Sequence, residues 1–248
     1  MIYDKICLML PTYKRPESIM SFVNSALNCA DDWHRLRFCF CVNKSDTESK
    51  RMISESMFWP DADMWEIIEE STDQPNLSLY FNTMYDQTKF NEEETLVTML
   101  GDDMVFMTKG YDTKILETIN SLDGKAIVFC NDNYIAKEKL CVNLFTTRKV
   151  VKAQDKPFMC EYYHAEMIDV VWHSVGIMTG MLRYLPNVII QHNHNTKKNK
   201  EQWDETFKRI SPIQCSANSS ENKKLSVAYS TICARKMIEK GVGEWNVL

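Results

Sequence analysis

Short apolar runs of strand length alternate with amphipathic, helix-like segments through the first hundred residues, and this alternation constrains the fold more than any other feature of the chain. Residues 6–10 (ICLML) read as a fully buried strand. The segment PTYKRPES leads from it into a helix whose Ile19, Val23, Ala26 and Leu27 fall on one face, with Pro16 suited to the first helical turn. The run 36–42 forms a second strand ending at Asn43, after which Ser45 and Glu48 have the spacing of a capping box that opens another helix. Residues 65–68 suggest a third strand. A loop over 71–76 follows, and Leu77, Tyr80, Phe81 and Met84 then mark a helix that delivers the chain to a fourth strand at Thr95. Such a pattern predicts an α/β fold with a parallel or mostly parallel sheet flanked by helices on both faces.

The fourth strand ends unusually. In TLVTMLGDDMVF (95–106) a β-branched and apolar run breaks off at Gly101 and presents Asp102 and Asp103 back to back. Open α/β sheets bind ligands at the carboxyl ends of their strands, and a divalent cation bridging a diphosphate needs hard oxygen ligands at a rigid place. The pair is therefore a candidate metal site. A surface turn with two solvated acids is the alternative, since Asp and Gly are common turn residues.

Beyond the aspartates the pattern predicts a helix over 111–122, strands over 126–130 and 142–146, and a helix near 149–154. Residues 168–178 form a helix placing Asp169, Trp172 and His173 on adjacent turns, and 188–190 a short strand running into Gln191-His192-Asn193-His194. From residue 211 the chain turns polar, and 225–238 read as a terminal amphipathic helix. The expected organisation is one domain over 1–210 with a helical extension, 211–248, packed on it.

Composition removes several function classes. A net charge of −5 argues against a broad nucleic-acid footprint, although Lys197, Lys198 and Lys200, and Lys223 with Lys224, could form local basic patches. Nine cysteines are scattered without a CxxC pair, and no secretory h-region or long apolar span occurs, which fits a reducing, cytoplasmic setting without membrane insertion. With seven glycines, the chain carries neither GxGxxG nor GxxxxGK[ST], which argues against dinucleotide oxidoreductases and P-loop NTPases. A nucleotide would have to be held by side chains and a metal, and PTYKRP supplies a hydroxyl, a ring and two cations at a strand end. A Pro-bounded turn with solvated charges is the plainer reading of that segment.

His192 and His194, two apart on an extended segment, project to the same side and could reach one ion or phosphate; a hydrogen-bonded surface pair is the alternative. Asp169 is flanked by Ile168 and Val170, where burial would raise a carboxyl pKa and suit it to general-base work, against the reading of an ordinary helix-surface acid. Trp172 and Trp203 could stack on a sugar or base, but large aromatics more often fill cores.

Taken in order, ICLMLPTYKRPESI, FNTMYDQT, LVTMLGDDMVF and MIDVVW…GMLRYLPNVIIQHNH resemble the GT-A glycosyltransferases of the family-2 type over roughly residues 4–205. The likeness is to the small soluble bacterial and phage branch, and it extends to the turn Asn131-Asp132-Asn133 and the tail Trp203-Asp204-Glu205. The resemblance implies a Rossmann-like GT-A sheet and base contacts from Thr12, Tyr13 and Arg15, with Asn43 standing where the family carries an acid. It also implies Mn²⁺ or Mg²⁺ held against a sugar-nucleotide diphosphate. Gly101 occupies the place of the first acid of the family's DxD, so Asp103 becomes the implied metal ligand and Asp102 a ribose or sugar contact, with His192 or His194 completing the metal or diphosphate site. Asp169 matches the family's base, Glu166 less well. The implied activity is metal-dependent, inverting transfer from a UDP-sugar to an acceptor hydroxyl, possible acceptors including a hydroxymethylated base in phage DNA, with a homodimer possible. The alternatives are a non-catalytic sugar-nucleotide or protein-binding module, and a nucleotidyltransferase, whose usual Gly- and Lys/Arg-rich first loop is missing.

Overall fold

The computed structural model describes residues 2–55, 59–70, 76–90, 95–134, 136–154, 167–193 and 220–245. Eight strands form one sheet: β1 (Lys5–Thr12), β2 (Leu36–Asn43), β3 (Trp65–Glu70), β4 (Thr95–Met99), β5 (Met104–Phe106), β6 (Ile127–Asn131), β7 (Leu144–Thr147) and β8 (Leu182–His192). Their order across it is β3-β2-β1-β4-β7-β6-β8-β5. β1, β2, β3 and β4 run parallel, β7 lies antiparallel between β4 and β6, β8 is parallel to β6, and β5 closes the edge antiparallel to β8. The mostly parallel sheet expected from the strand–helix alternation is thus present, with two reversed strands.

Seven helices among the described residues flank the sheet: α1 (Pro16–Cys29), α2 (Thr47–Glu55), α3 (Leu77–Gln87), α4 (Tyr111–Asn120), α5 (Arg148–Lys152), α6 (Met167–Met178) and α7 (Ser220–Glu239). Period-2 alternation in β1 and β2 divides the core between the two faces. Leu8, Leu10, Phe38 and Phe40 meet Ile19, Phe22 and Val23 of α1 and Ile115 and Ile119 of α4. Cys7, Met9, Cys39 and Cys41 meet Phe81 and Met84 of α3, Val171, Trp172 and Val175 of α6, and Cys233 and Met237 of α7. The described cysteines are free and, Cys29 apart, buried, behaving as small apolar residues.

Two local expectations are corrected. Helix α2 is capped by Asp46, whose Oδ1 accepts the Ser49 N–H at 3.1 Å, because Ser45 instead donates its backbone N–H and hydroxyl to Asn43 Oδ1 at 3.0 and 2.6 Å. The short strand at 188–190 is the end of the eleven-residue β8. Its pairing with β6 jumps from Cys130↔Leu185 to Asn131↔Ile189, a break that surrounds Pro186, which has no N–H to give a ladder. Trp172 is fully buried, in keeping with the core reading of large aromatics, so it offers no face to a sugar. The loop at 71–75, Glu166, His194, Lys197, Lys198, Lys200, and the Trp203-Asp204-Glu205 tail lie outside the described residues.

Candidate active site

The site is assembled where β1 and β4 end side by side. Their ladder runs to Cys7↔Val97 and is then continued by a side chain, the Thr98 hydroxyl accepting the Met9 N–H at 2.8 Å and donating to the Cys7 carbonyl at 3.1 Å. Leu100 N–H then reaches the Met9 carbonyl at 3.3 Å, so the turn carrying the aspartates lies beside the loop that leaves β1.

Asp102 points into that junction. Its Oδ2 accepts the Thr12 hydroxyl at 2.7 Å and its Oδ1 accepts Arg15 Nη1 at 2.8 Å. Burial pushes the Asp102 carboxyl up to about 6, with the Arg15 guanidinium pulling down and the neighbouring Asp103 charge pushing up. Two of the expected nucleotide-site residues, Thr12 and Arg15, therefore both contact a third, Asp102.

Between Thr12 and Arg15 the chain makes a tight turn. Lys14 adopts a left-handed φ of 51° and gives its backbone N–H to Asp46 Oδ2 at 2.5 Å, while its ammonium lies 5.2 Å from the centroid of the half-buried Tyr13 ring. Asn43 holds the adjacent turn through the bonds from Ser45 and through its own carbonyl, which accepts the Asp46 N–H at 2.9 Å. Asp46 was not among the residues singled out from the sequence. The signal that could have found it is an Asp three residues before Ser49 at the mouth of a helix.

Asp103 turns the other way and meets His192, with Oδ1 3.3 Å from Nε2 and each side chain about one-fifth exposed. The pairing of Met104 with His192 in the β5–β8 ladder brings them together, reinforced by the Asn193 N–H on the Asp103 carbonyl at 2.9 Å. Burial favours the neutral imidazole, but the hydrogen bond to Asp103, together with the charges of Asp103, Asp169 and Asp132, outweighs it and raises the His192 pKa. Asp169, half-buried in the first turn of α6, thus lies within electrostatic reach of the pair. Asp132, buried, receives backbone N–H groups from Tyr134, Ala136 and Lys137 at 3.2, 3.2 and 2.8 Å, and its own carbonyl accepts the His192 N–H at 3.0 Å. Its role is to shape the turn after β6.

Gly101 matters by its missing side chain. A Cβ built there would stand 2.7 Å from Asp103 Oδ1, so the position that carries an acid in the resembling family must stay bare for Asp103 to take its present rotamer. As to a cation, Asp103 could offer a carboxylate oxygen, and His192 its Nε2 once the proton directed at Asp103 has left, to a divalent ion that completes its shell from substrate phosphates and water. Among the described residues no group of three or more His, Cys, Asp or Glu side chains gathers, so the share they offer such an ion is this pair.

No protein-family model and no curated protein sequence matches the chain. Solved structures do. The mannosyltransferase PcManGT from Pyrobaculum calidifontis, in complex with GDP-Man and Mn²⁺, superposes with a TM-score of 0.57 at 11% identity, over 97% of this chain and 80% of that one. S. aureus TarS 1-349 gives 0.61 at 10% identity over 94% and 70% of the two chains, and its complex with UDP-GlcNAc 0.58 at 10% over 95% and 73%. Likeness at such identities speaks for the backbone architecture, and on that ground this chain has the GT-A fold.

Proposed function

We propose that this protein is a glycosyltransferase that takes a sugar from a nucleotide-sugar donor and passes it to an acceptor hydroxyl. The observation that carries the reading is the apposition of Asp103 and His192 at a strand-end turn whose other aspartate holds the loop Thr12–Arg15. It is supported by neighbours of the same fold that were solved with GDP-Man and Mn²⁺ and with UDP-GlcNAc. The finer assignment is a UDP-sugar donor, with Tyr13 against the base, Arg15 and Thr12 holding the loop through Asp102, and Asp103 and His192 holding Mn²⁺ or Mg²⁺, His194 joining them. When bound, the cation supplies positive charge to the diphosphate as it leaves. In the transfer the bond from the sugar's anomeric carbon to the diphosphate breaks, and the acceptor oxygen bonds to that carbon from the opposite side. Asp169 takes the acceptor proton, and attack on the face opposite the departing diphosphate inverts the anomeric carbon; an α-linked product from an α-configured donor would refute it.

The proposed division is one domain over residues 1–210 and an extension over 211–248, whose described helix α7 shares a core cluster with α6 through Cys233 and Met237. The acceptor is a small metabolite, a glycan, a protein, or a hydroxymethylated base in phage DNA; steep salt dependence of duplex binding would favour the last. The bare Gly101 also favours a second reading, a nucleotide-sugar-binding module without turnover. Donor turnover by wild type and not by Asp103→Ala would exclude it.

The test is thermal unfolding of the wild type and Asp103→Ala against a panel of nucleotides and sugar nucleotides, with and without Mn²⁺. A ligand at ~100 times its Kd adds about 2.7 kcal/mol, a shift of several degrees for a domain of this size. A metal-dependent shift lost in Asp103→Ala is the expected result. No shift with any nucleotide would overturn the assignment.

A further inference from the structure

We infer that Asp46 is a positioning residue for the nucleotide loop, fixing from behind the left-handed turn at Lys14 that sets where Tyr13 and Arg15 stand. This rests on the reading of Thr12–Arg15 as that loop. Asp46 is 2% exposed and lies between β2 and α2, so it serves the loop from the side of the neighbouring strand.

The geometry gives its two oxygens different duties. Oδ1 accepts the Ser49 N–H and caps α2, while Oδ2 accepts the Lys14 N–H at 2.5 Å. A carboxylate-to-amide bond is charge-assisted and among the stronger kinds available to a loop. Lys14 needs it, because an L-residue at φ 51° pays a steric penalty that glycine would not. With Asp102 gripping Thr12 and Arg15 from the β4 side and Asp46 gripping Lys14 from the β2 side, the loop is held between two carboxylates. Strain retained at a binding loop persists only where the surroundings hold it, and the buried Asp46 carboxylate is one such hold on Lys14. Preorganisation of this kind raises affinity by lowering the ordering cost on binding.

The cap and the loop duty can be separated. Asp46→Ser keeps an oxygen suited to capping Ser49 but is too short to span to Lys14 as well. Adding Lys14→Gly lets residue 14 adopt positive φ without an anchor. Three readouts are needed: the Kd for UDP and for GDP with Mn²⁺, amide exchange over residues 12–15 in the free protein, and the thermal unfolding midpoint. Asp46→Ser is expected to weaken nucleotide binding about tenfold and to speed exchange across the loop at least tenfold, with the unfolding midpoint falling only a few degrees. Asp46→Ser/Lys14→Gly should recover much of the affinity together with part of the midpoint, a rescue that a capping role alone would not produce. Unchanged Kd and unchanged loop exchange in Asp46→Ser would overturn the inference, as would a loss of affinity that Lys14→Gly fails to relieve. If the wild type binds neither nucleotide, the functional reading falls, and the exchange measurement alone decides whether Asp46 holds the loop.

Discussion

Arg15 and Asp102, 87 residues apart in the sequence, meet at 2.8 Å between Nη1 and Oδ1, with side chains only 11% and 6% exposed. Together with the Thr12 hydroxyl on Asp102 Oδ2, this contact ties the loop after β1 to the turn after β4. A buried pair of this kind contributes less by its own attraction than it would cost to break, since removing one partner strands the other charge.

Arg15→Met should therefore destabilise the protein by about 3–5 kcal/mol in urea unfolding at neutral pH. The double variant Arg15→Met/Asp102→Leu should recover a large part of that loss, because no unpaired charge remains. A double variant as unstable as the single one would mean that the pair's hydrogen bonds, including the Thr12 bond, outweigh its desolvation.

Gly101→Ala tests the bare position beside Asp103. The added methyl would sit 2.7 Å from Asp103 Oδ1, and since that atom ends a short side chain the cheapest response is for the carboxylate to rotate away. Global stability should change by less than about 1 kcal/mol, as for most substitutions outside the core. Mn²⁺-dependent nucleotide stabilisation should fall markedly; an unaltered metal response would show that the Asp103 rotamer is not what the ion needs.

His173 gives the pH dependence. Burial against Phe129, with Nδ1 buried and without a hydrogen-bond partner among the described residues, lowers its pKa below the usual 6.5. The unfolded chain then takes up the proton more readily than the folded one, so this group's stabilisation is present above about pH 6.5 and is lost on acidification. His192, whose pKa is raised, carries the opposite sign. The comparison is therefore between variants: the stability of His173→Leu relative to wild type should improve as the pH is lowered from about 7.5 to about 5.5. A gap that does not move with pH would contradict the burial argument.

Trp172 separates packing from sugar stacking. It is fully buried among residues of α6, α7 and the sheet, so Trp172→Ala should cost about 3–5 kcal/mol. Trp172→Phe should cost less and leave the KM for any donor or acceptor unchanged. A selective rise in KM without loss of stability would return this ring to the binding surface.

Asp169→Asn should lower kcat by roughly 10²–10⁴-fold, the usual worth of a general base, while nucleotide binding measured by thermal shift stays within twofold of wild type, ~0.4 kcal/mol. Equal losses in both would move Asp169 from acceptor activation to donor binding.

The first four strands and three helices were legible because their determinants are local: a run of apolar residues of strand length, an amphipathic period, a Pro at the helix start. The same locality explains where reading failed. Ser45 and Glu48 satisfy the capping pattern, yet Asp46 caps α2, because Asn43 claims Ser45 and a carboxylate can serve two donors at once. The length of β8 was hidden because residues on both sides of Pro186 find partners only through a break in register with β6.

The aspartate pair shows the division most clearly. The sequence by itself determined that two adjacent carboxylates stand at the end of a buried strand, since no apolar run can continue through Gly-Asp-Asp. It also determined that no Gly-rich phosphate loop was available. Only the tertiary structure decided that the two acids have opposite fates. Asp102 turns inward to Thr12 and Arg15 and is pushed up to about 6 by burial, whereas Asp103 turns outward to His192, delivered by β8 through its pairing with the antiparallel edge strand β5. The physical reason is that a carboxylate's partners, burial and protonation depend on groups distant in the chain, and strand pairing alone brings those groups within a few ångströms.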